Sequence, residues 1–172
     1  MENIFFDISK LKHCGKNVII GKTVRIRKPE EVSIGDGTII DDFTYISCGM
    51  TIGKNCHIAS NVSISGSKAH LHMGDYSTIS NHCSIHCASS DYKKISLDLP
   101  SVLEEERFGG EFGDIHIGKY VVIGAHSTIL PKVNIPDYVA FGAYSLIKDN
   151  NYEEYYLYAG IPAKVICKRE KL

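Results

Sequence analysis

Large aliphatic residues recur every six positions along most of this 172-residue chain. Isoleucine stands at positions 20 and 26 and, after two extra residues, at 34, 40, 46, 52, 58 and 64, and the same spacing of large apolar residues runs from 73 to 85 and from 117 to 147. Of 17 such positions, 15 hold isoleucine, and the whole chain has 23 isoleucines against 9 leucines. Because β-branched residues favour strands over helices, this pattern argues against a helical bundle.

A period of six fits neither a helical turn nor the alternation of an ordinary strand. It fits a short strand followed by a sharp corner, so that three hexads, about 18 residues, close one triangular coil. We therefore predict an all-β solenoid whose stacked coils bury columns of isoleucine and pair their strands in parallel. We expect the glycine that often follows the apolar residue to permit the tight turn. These glycines are at positions 21, 35, 53, 74, 118, 124 and 142.

The repeat predicts a single domain with two departures from its rhythm. Residues 1–17 lead into a β-helix that covers 18–150, and a long excursion loop at 88–114 interrupts it. A non-repeating excursion of this length inside a compact fold is typically functional or disordered. Residues 151–172 form a C-terminal tail, in which we expect Pro162 to begin a short helix or to cap the open end of the solenoid.

Charge and hydrophobicity exclude several classes of function. The formal net charge is −1, so no overall basic field favours nucleic acid. No apolar run approaches the roughly 18 residues that a membrane span needs, so we expect no membrane insertion. The N-terminal residues do not resemble a signal peptide, and we therefore predict a cytoplasmic protein whose six cysteines are reduced thiols.

Three C-terminal pieces carry a specific resemblance to a known family. IGKYVVIGAHSTILPKVNI at 117–135, FGAYSLIKD at 141–149 and AGIPAK at 159–164 are similar, in this order, to the acetyl-CoA half of hexapeptide-repeat acetyltransferases. The resemblance implies a left-handed parallel β-helix, a homotrimer and active sites between subunits. It also implies acetyl transfer from acetyl-CoA, without a metal, to an amine or hydroxyl of a nucleotide-linked sugar or surface-polysaccharide precursor.

The same resemblance assigns four positions to the acetyl-CoA co-substrate. Ala125 and Ala143 match small residues whose backbone the pantetheine arm approaches in this family, while Lys148 and Lys164 match basic residues near its phosphates. The alternative is that the alanines only fill corners and that the lysines are solvated surface charges.

Acyl transfer needs a general base, and histidine is the usual one. The string IGKNCHIAS at 52–60 resembles an element of nucleotide-sugar N-acetyltransferases, which makes His57 the first candidate. Those relatives carry a histidine–carboxylate pair where this chain has Cys48, so His86 stays open as a second candidate. Asp91 is a candidate for orienting a histidine or holding the acceptor's hydroxyls. A structural role for each of these residues also stays open.

Two other functions remain as alternatives. One branch of the resembled fold binds zinc and hydrates carbon dioxide, and His82 and His86, interleaved with cysteines, invite comparison with it. The His-x4-His pair of that branch is absent, and His70 and His72 are expected to decorate a turn. The other alternative is a non-catalytic solenoid used for assembly.

Overall fold

The computed structural model describes residues 2–66 and 68–170 and confirms the predicted left-handed parallel β-helix. The chain passes through three parallel sheets in turn, and each coil contributes one short strand to each sheet. The first sheet contains β1 (His13–Cys14), β4 (Val32–Ile34), β7 (Gly49–Ile52), β10 (His70–Met73), β15 (Ile115–Ile117) and β18 (Asn134–Ile135). The second contains β2 (Ile19–Ile20), β5 (Ile39–Ile40), β8 (His57–Ile58), β11 (Thr78–Ile79), β16 (Val122–Ile123), β19 (Ala140–Phe141) and two C-terminal strands. The third contains β3 (Arg25–Ile26), β6 (Tyr45–Ile46), β9 (Ser63–Ser65), β12 (Ser84–His86), β17 (Thr128–Ile129) and β20 (Leu146–Ile147).

The hexad isoleucines lie in register, one above the other, and form the core. Ile40 pairs with Ile58, and Ile58 pairs with Ile79 in the second sheet. All three side chains are completely buried. Full burial of such a side chain contributes roughly 1.5–3 kcal/mol, so the repeated inward position accounts for the selection of isoleucine at this place of the hexad.

The hexad glycines serve a different purpose from the one expected. They do not adopt positive φ; instead, successive coils stack closely against them. A Cβ on Gly35 would lie 2.6 Å from the carbonyl carbon of Gly53, and one on Gly124 would lie 2.5 Å from the amide nitrogen of Ala143. The left-handed conformation falls two residues later, at the fourth place of the hexad, as at Asn55 (φ 51°). These glycines are therefore required by coil stacking, whereas the turn itself is made at the fourth place, where most coils carry a non-glycine residue and Gly37 (φ 68°) is an exception.

Polar side chains at the corners tie successive coils together. The hydroxyl of Thr38 donates to the carbonyl of Gly53 at 2.9 Å, and that of Ser77 donates to Gly118 at 2.7 Å. The carboxylate of Asp36 accepts from the backbone N–H of Lys16 at 2.7 Å, one coil earlier. Such bonds satisfy backbone groups that the narrow corner would otherwise leave unpaired.

The excursion folds into an arm, a name used below for residues 88–114. Its base is an antiparallel ribbon of β13 (Ala88–Ser90) and β14 (Gly110–Phe112). An isolated bridge between Leu97 and Phe108 continues the ribbon outward. The arm leaves the solenoid after β12 and returns at β15, so it projects from the corner between the third and first sheets.

The C-terminal tail forms strands, and the expectation of a helix at Pro162 is wrong. Strand β21 (Tyr156–Ala159) extends the second sheet and pairs antiparallel with β22 (Lys164–Lys168). The turn between these strands, which contains Pro162, is tied to the last coil, because the N–H of Ala163 donates to the carbonyl of Leu146 at 2.8 Å. The buried rings of Tyr152 and Tyr158 pack against Phe141 and thereby close the core.

Helical structure in the described residues is limited to three 3-10 turns, at Ile8–Lys10, Pro29–Glu31 and Glu104–Glu106. Across residues 2–66 and 68–170, no helix has the length and apolar character needed to cross a membrane. All six cysteines are free thiols, and four of them are buried.

Candidate active site

A groove of about 960 Å³ lies between the arm and the corner where the third sheet passes into the first. Corner residues of three successive coils form one wall, and the arm forms the other. The solenoid wall includes Arg27, Lys28, Ser47, Ser65, Gly66 and Lys68. The arm wall includes Ser89, Asp98, Glu104, Arg107, Phe108 and Phe112.

The charged side chains of the groove are mostly cationic. Four of its residues are Lys or Arg, against two carboxylates, Asp98 and Glu104. The guanidinium of Arg107 donates to the carbonyls of Val102 and Pro100, each at 2.8 Å, and so fixes the shape of the arm. Lys68 forms an ion pair with Glu104 across the groove. A cationic groove with the exposed aromatic rings of Phe108 and Phe112 on one wall has the chemistry needed to hold a phosphorylated ligand with an aromatic base.

His86 lies beside this groove. It ends strand β12, directly opposite Ser65 of β9, and its Nδ1 lies 3.1 Å from the Ser65 hydroxyl. Burial lowers the pKa of His86 below the ordinary histidine value, so the ring is neutral at neutral pH. A neutral imidazole can accept a proton, so His86 stays a candidate base.

His57 lies on the outer face of the second sheet. Its Nε2 is 2.8 Å from Oδ2 of Asp41, and both side chains are nearly half exposed. The relatives' histidine–carboxylate pair falls at Cys48, where this chain lacks it, and sequence reasoning did not identify Asp41 as a carboxylate beside His57. The signal was available in the coil spacing, because Asp41 follows Ile40, and Ile40 stacks directly against Ile58. The second sheet does not border the corner that carries the groove, so the structure does not bring His57 and His86 together within one protomer.

Asp91 lies at the base of the arm and outside the groove lining. Its Oδ1 accepts from the backbone N–H of Lys93 at 2.8 Å, and its own N–H donates to the carbonyl of Gly109 at 3.2 Å. These bonds shape the start of the arm. Asp98, which sequence reasoning did not single out, is a carboxylate that does line the groove.

Ala125 and Ala143, which the resemblance assigns to acetyl-CoA, lie on successive coils and form a column. Both follow a hexad glycine at the corner between the second and third sheets, and the N–H of Tyr144 donates to the carbonyl of Ala125 at 2.9 Å. Beside them, the rings of His82, His126 and Tyr144 form a continuous stack with centroids 4.9 and 4.7 Å apart. The half-buried Ala125 and the exposed Ala143 thus lie one above the other next to a flat aromatic surface.

The two predicted lysines lie nearer the C-terminal end of the solenoid. Lys148 follows β20 and its Nζ lies 3.3 Å from Asp149. Lys164 begins β22 and lines a shallower depression of about 550 Å³ together with Glu153 and Tyr156. Both side chains are exposed.

His70 and His72 do not decorate a turn. Both belong to strand β10 of the first sheet, because the three-residue insertion before them lengthens the corner and not the strand. They lie near Asp114 and His116, and this cluster is distinct from the groove lining.

The sequence of this chain is similar to a known protein family and to an acyltransferase of known substrate. Residues 31–66 match the profile of the family described as Bacterial transferase hexapeptide (six repeats). A dTDP-4-amino-4,6-dideoxy-D-glucose acyltransferase of Escherichia coli is 35% identical over 163 residues, which are 93% of this chain and 83% of that protein.

Solved structures of AntD, an N-acyltransferase from Bacillus cereus, superpose with high similarity. The complex with dTDP and 3-hydroxybutyryl-CoA gives a TM-score of 0.85 at 31% identity, covering 98% of this chain and 91% of AntD. A serine-to-cysteine variant of AntD holds dTDP-4-amino-4,6-dideoxyglucose and coenzyme A, and superposes with a TM-score of 0.85 at 31% identity over 98% and 92% of the two chains. Together with the coiled fold, these similarities show that the chain belongs to the hexapeptide-repeat acyltransferases, in the branch that acts on sugars.

Proposed function

We propose that this protein transfers an acetyl group from acetyl-CoA to the amino group of a dTDP-linked 4-amino-4,6-dideoxy sugar. The observation that carries the proposal is the cationic groove between the arm and the solenoid, in a chain similar over nearly its whole length to two acyltransferases of dTDP-amino sugars. The product would be a precursor for a surface polysaccharide. We place the reaction in the cytoplasm, where thiols such as the six here stay reduced.

The groove offers a separate partner to each part of such an acceptor. Arg27, Lys28 and Lys68 supply positive charge for a diphosphate, and Phe108 and Phe112 supply rings against which a base can stack. The sugar then extends toward Ser65, whose hydroxyl is hydrogen-bonded to His86. Acetyl-CoA lies along the column of Ala125 and Ala143, where small side chains allow close approach to the backbone.

The chemistry requires one proton transfer. The neutral amine attacks the thioester carbonyl, a C–N bond forms, and the C–S bond then breaks to release coenzyme A as a thiolate. The amine proton passes to a base and from there to the thiolate sulfur. We assign the base to His57, because Asp41 can stabilise the imidazolium that forms when the ring takes up a proton. His86 is then a neutral positioning group at the acceptor, and Asp91 shapes the arm.

This assignment requires two protomers in one active site. The groove and His57 lie on different sides of the triangular coil, so a neighbouring protomer must present its second sheet to the groove. That outer face carries exposed apolar residues, including Ile19 and Val122, which suits it to a protein contact. We therefore propose a homotrimer with three equivalent sites, each formed between two subunits.

The test is a thiol-release assay with acetyl-CoA and dTDP-4-amino-4,6-dideoxyglucose, followed by mass spectrometry of the sugar nucleotide. The proposal predicts one coenzyme A released for each N-acetylated product. dTDP-6-deoxyglucose, which carries a hydroxyl in place of the 4-amine and is otherwise the same, is the matched control acceptor. Thiol release at the same rate with and without acceptor, or no product with any dTDP-amino sugar, would contradict it.

A further inference from the structure

The first sheet carries a histidine cluster that acyl transfer does not use. In β10, Leu71 and Met73 point into the core, so the alternation of the strand directs His70 and His72 outward. In β15, Ile115 and Ile117 are buried in the same way, and His116 points outward. Asp114 precedes this strand on the same outward phase.

Strand pairing brings these side chains together. β10 and β15 are adjacent and parallel, and His72 lies directly opposite His116. Their rings stack with centroids 4.5 Å apart and planes inclined by 4°. Potential ligand atoms of His72, Asp114 and His116 all lie within 4.8 Å of one another.

We propose that His72, His116 and Asp114 bind a divalent transition-metal ion, with Zn²⁺ as the best match. Two imidazole nitrogens and one carboxylate oxygen are a common zinc ligand set, and three protein ligands leave a fourth position for water. Ligand atoms this close together can converge on one ion once the stacked rings rotate, and the side chains of Asp114 and His116 are exposed while that of His72 is half-buried. This inference stands apart from the proposed acyl transfer and does not depend on it.

Neighbouring groups hold the ligands in place. Oδ1 of Asp114 accepts from the backbone N–H of His70 at 2.8 Å, which fixes the carboxylate at the edge of the cluster. The His70 ring packs beside His72 at 4.5 Å, and its Nε2 lies 2.9 Å from the Thr51 hydroxyl.

The site would connect two parts of the chain that are distant in sequence. His72 belongs to the last complete coil before the arm, whereas Asp114 ends the arm and His116 opens the next coil. A bound ion would therefore fasten the return of the arm to the coil before it. Because the ion binds the folded chain through residues that separate on unfolding, binding raises the unfolding temperature.

The experiment uses the whole chain after removal of metal with a chelator. Titration with Zn²⁺ by calorimetry should give one ion per chain, and Co²⁺ should give a visible d–d spectrum without thiolate charge-transfer bands. His72→Ala and Asp114→Asn should each weaken Zn²⁺ binding by roughly tenfold or more. Asp114→Asn keeps an oxygen that can accept from His70, so its circular dichroism should match that of the parent protein.

His82→Ala is the matched control, because His82 also stacks on a histidine, His126, with centroids 4.9 Å apart. That pair is not part of the three-ligand group, and its loss should leave Zn²⁺ affinity and the Zn²⁺-dependent rise in unfolding temperature unchanged. Three results would overturn the proposal. They are no Zn²⁺ binding by the parent protein, unchanged affinity in both cluster variants, and Co²⁺ spectra that show ligation by the exposed thiols of Cys14 and Cys167.

Discussion

Nε2 of His57 lies 2.8 Å from Oδ2 of Asp41, and the two residues come from neighbouring coils of the second sheet. The pair has the geometry of a base with a carboxylate that orients it and stabilises its charged form. It is also exposed on a face that does not border the groove of its own protomer. Because of this separation, His57 can act as the base only if a second protomer brings its own His57 to the groove.

His57→Ala should lower kcat by roughly 10²–10⁴-fold, the usual contribution of a general base. Asp41→Asn should cause a smaller loss of kcat. The His57 ring then keeps a hydrogen-bonding neighbour at position 41 but loses the negative charge that stabilises its protonated form. Steady-state kinetics at saturating acetyl-CoA measures both. An Asp36→Asn variant changes a carboxylate that bonds only to backbone at a different corner, and it controls for effects on stability.

Mixed trimers test whether the site is shared between subunits. Arg27→Glu should abolish binding of the nucleotide in the groove, and His57→Ala should remove the base from the opposite face. Coexpression of the two variants should restore activity well above the sum of the separate variants, because some interfaces then pair an intact groove with an intact His57. Activity no higher than that sum, or a chain that is monomeric by light scattering, would rule out the shared site.

Arg27→Ala should raise KM for the dTDP-sugar roughly tenfold, about the effect of losing one charge-assisted hydrogen bond of 1.5 kcal/mol. It should leave KM for acetyl-CoA unchanged, because the alanine column lies at another corner. Arg25→Ala is the control, since Arg25 is an equally exposed arginine two residues away on the outer face of β3 and outside the groove. Equal effects of the two substitutions on KM would show that the groove does not hold the nucleotide.

Gly35→Ala should destabilise the fold although its backbone conformation suits any residue. The added Cβ would lie 2.6 Å from backbone atoms of Gly53, and overpacking of this kind costs about 1–3 kcal/mol. Gly142→Ala occupies the same hexad place, but its nearest neighbour is the Ala159 Cβ at 3.1 Å, so it should cost less. Urea denaturation of both variants measures the difference. A larger loss for Gly142→Ala would contradict the stacking explanation.

The stability of the protein should fall as the pH drops below the ordinary histidine pKa of about 6.5. Burial lowers the pKa of His86, so in this range the unfolded chain binds a proton that the folded chain does not. The free energy of unfolding is therefore largest above that pH and decreases toward the lowered pKa. His86→Gln should show a shallower decrease between about pH 7.5 and about pH 5.5 by urea denaturation. His13→Gln, on the exposed strand β1, should behave like the parent protein.

The hexad spacing was sufficient to predict the coil, because one inward residue per strand makes the core directly visible in the sequence. It also located His86 next to the excursion and the alanine column at one corner. The same spacing could not assign the glycines correctly, since turn formation and coil stacking select the same residue for different physical reasons. Only the structure shows that these glycines are selected by close contact with the backbone of the next coil and not by a positive φ.

Contacts that cross coils were harder to predict. Asp41 pairs with His57 through the 18-residue register, which becomes informative only once the number of residues in each corner is known. The whole arm separates His72 from His116 in the sequence. The residues around them do not indicate that β15 begins at Ile115 in register with β10. The groove depends on how the arm folds back, and the arm lacks the repeat on which the other predictions rest.

The most direct test compares acetyl transfer to dTDP-4-amino-4,6-dideoxyglucose with transfer to dTDP-6-deoxyglucose at equal enzyme and acetyl-CoA concentrations. We expect kcat/KM to be higher for the amine by a factor of roughly 10³ or more. The proposed site supplies a base for the amine proton and holds the same nucleotide in both acceptors. Equal values of kcat/KM for the two acceptors, or turnover of neither, would contradict the central claim that this groove serves N-acylation of a nucleotide-linked amino sugar.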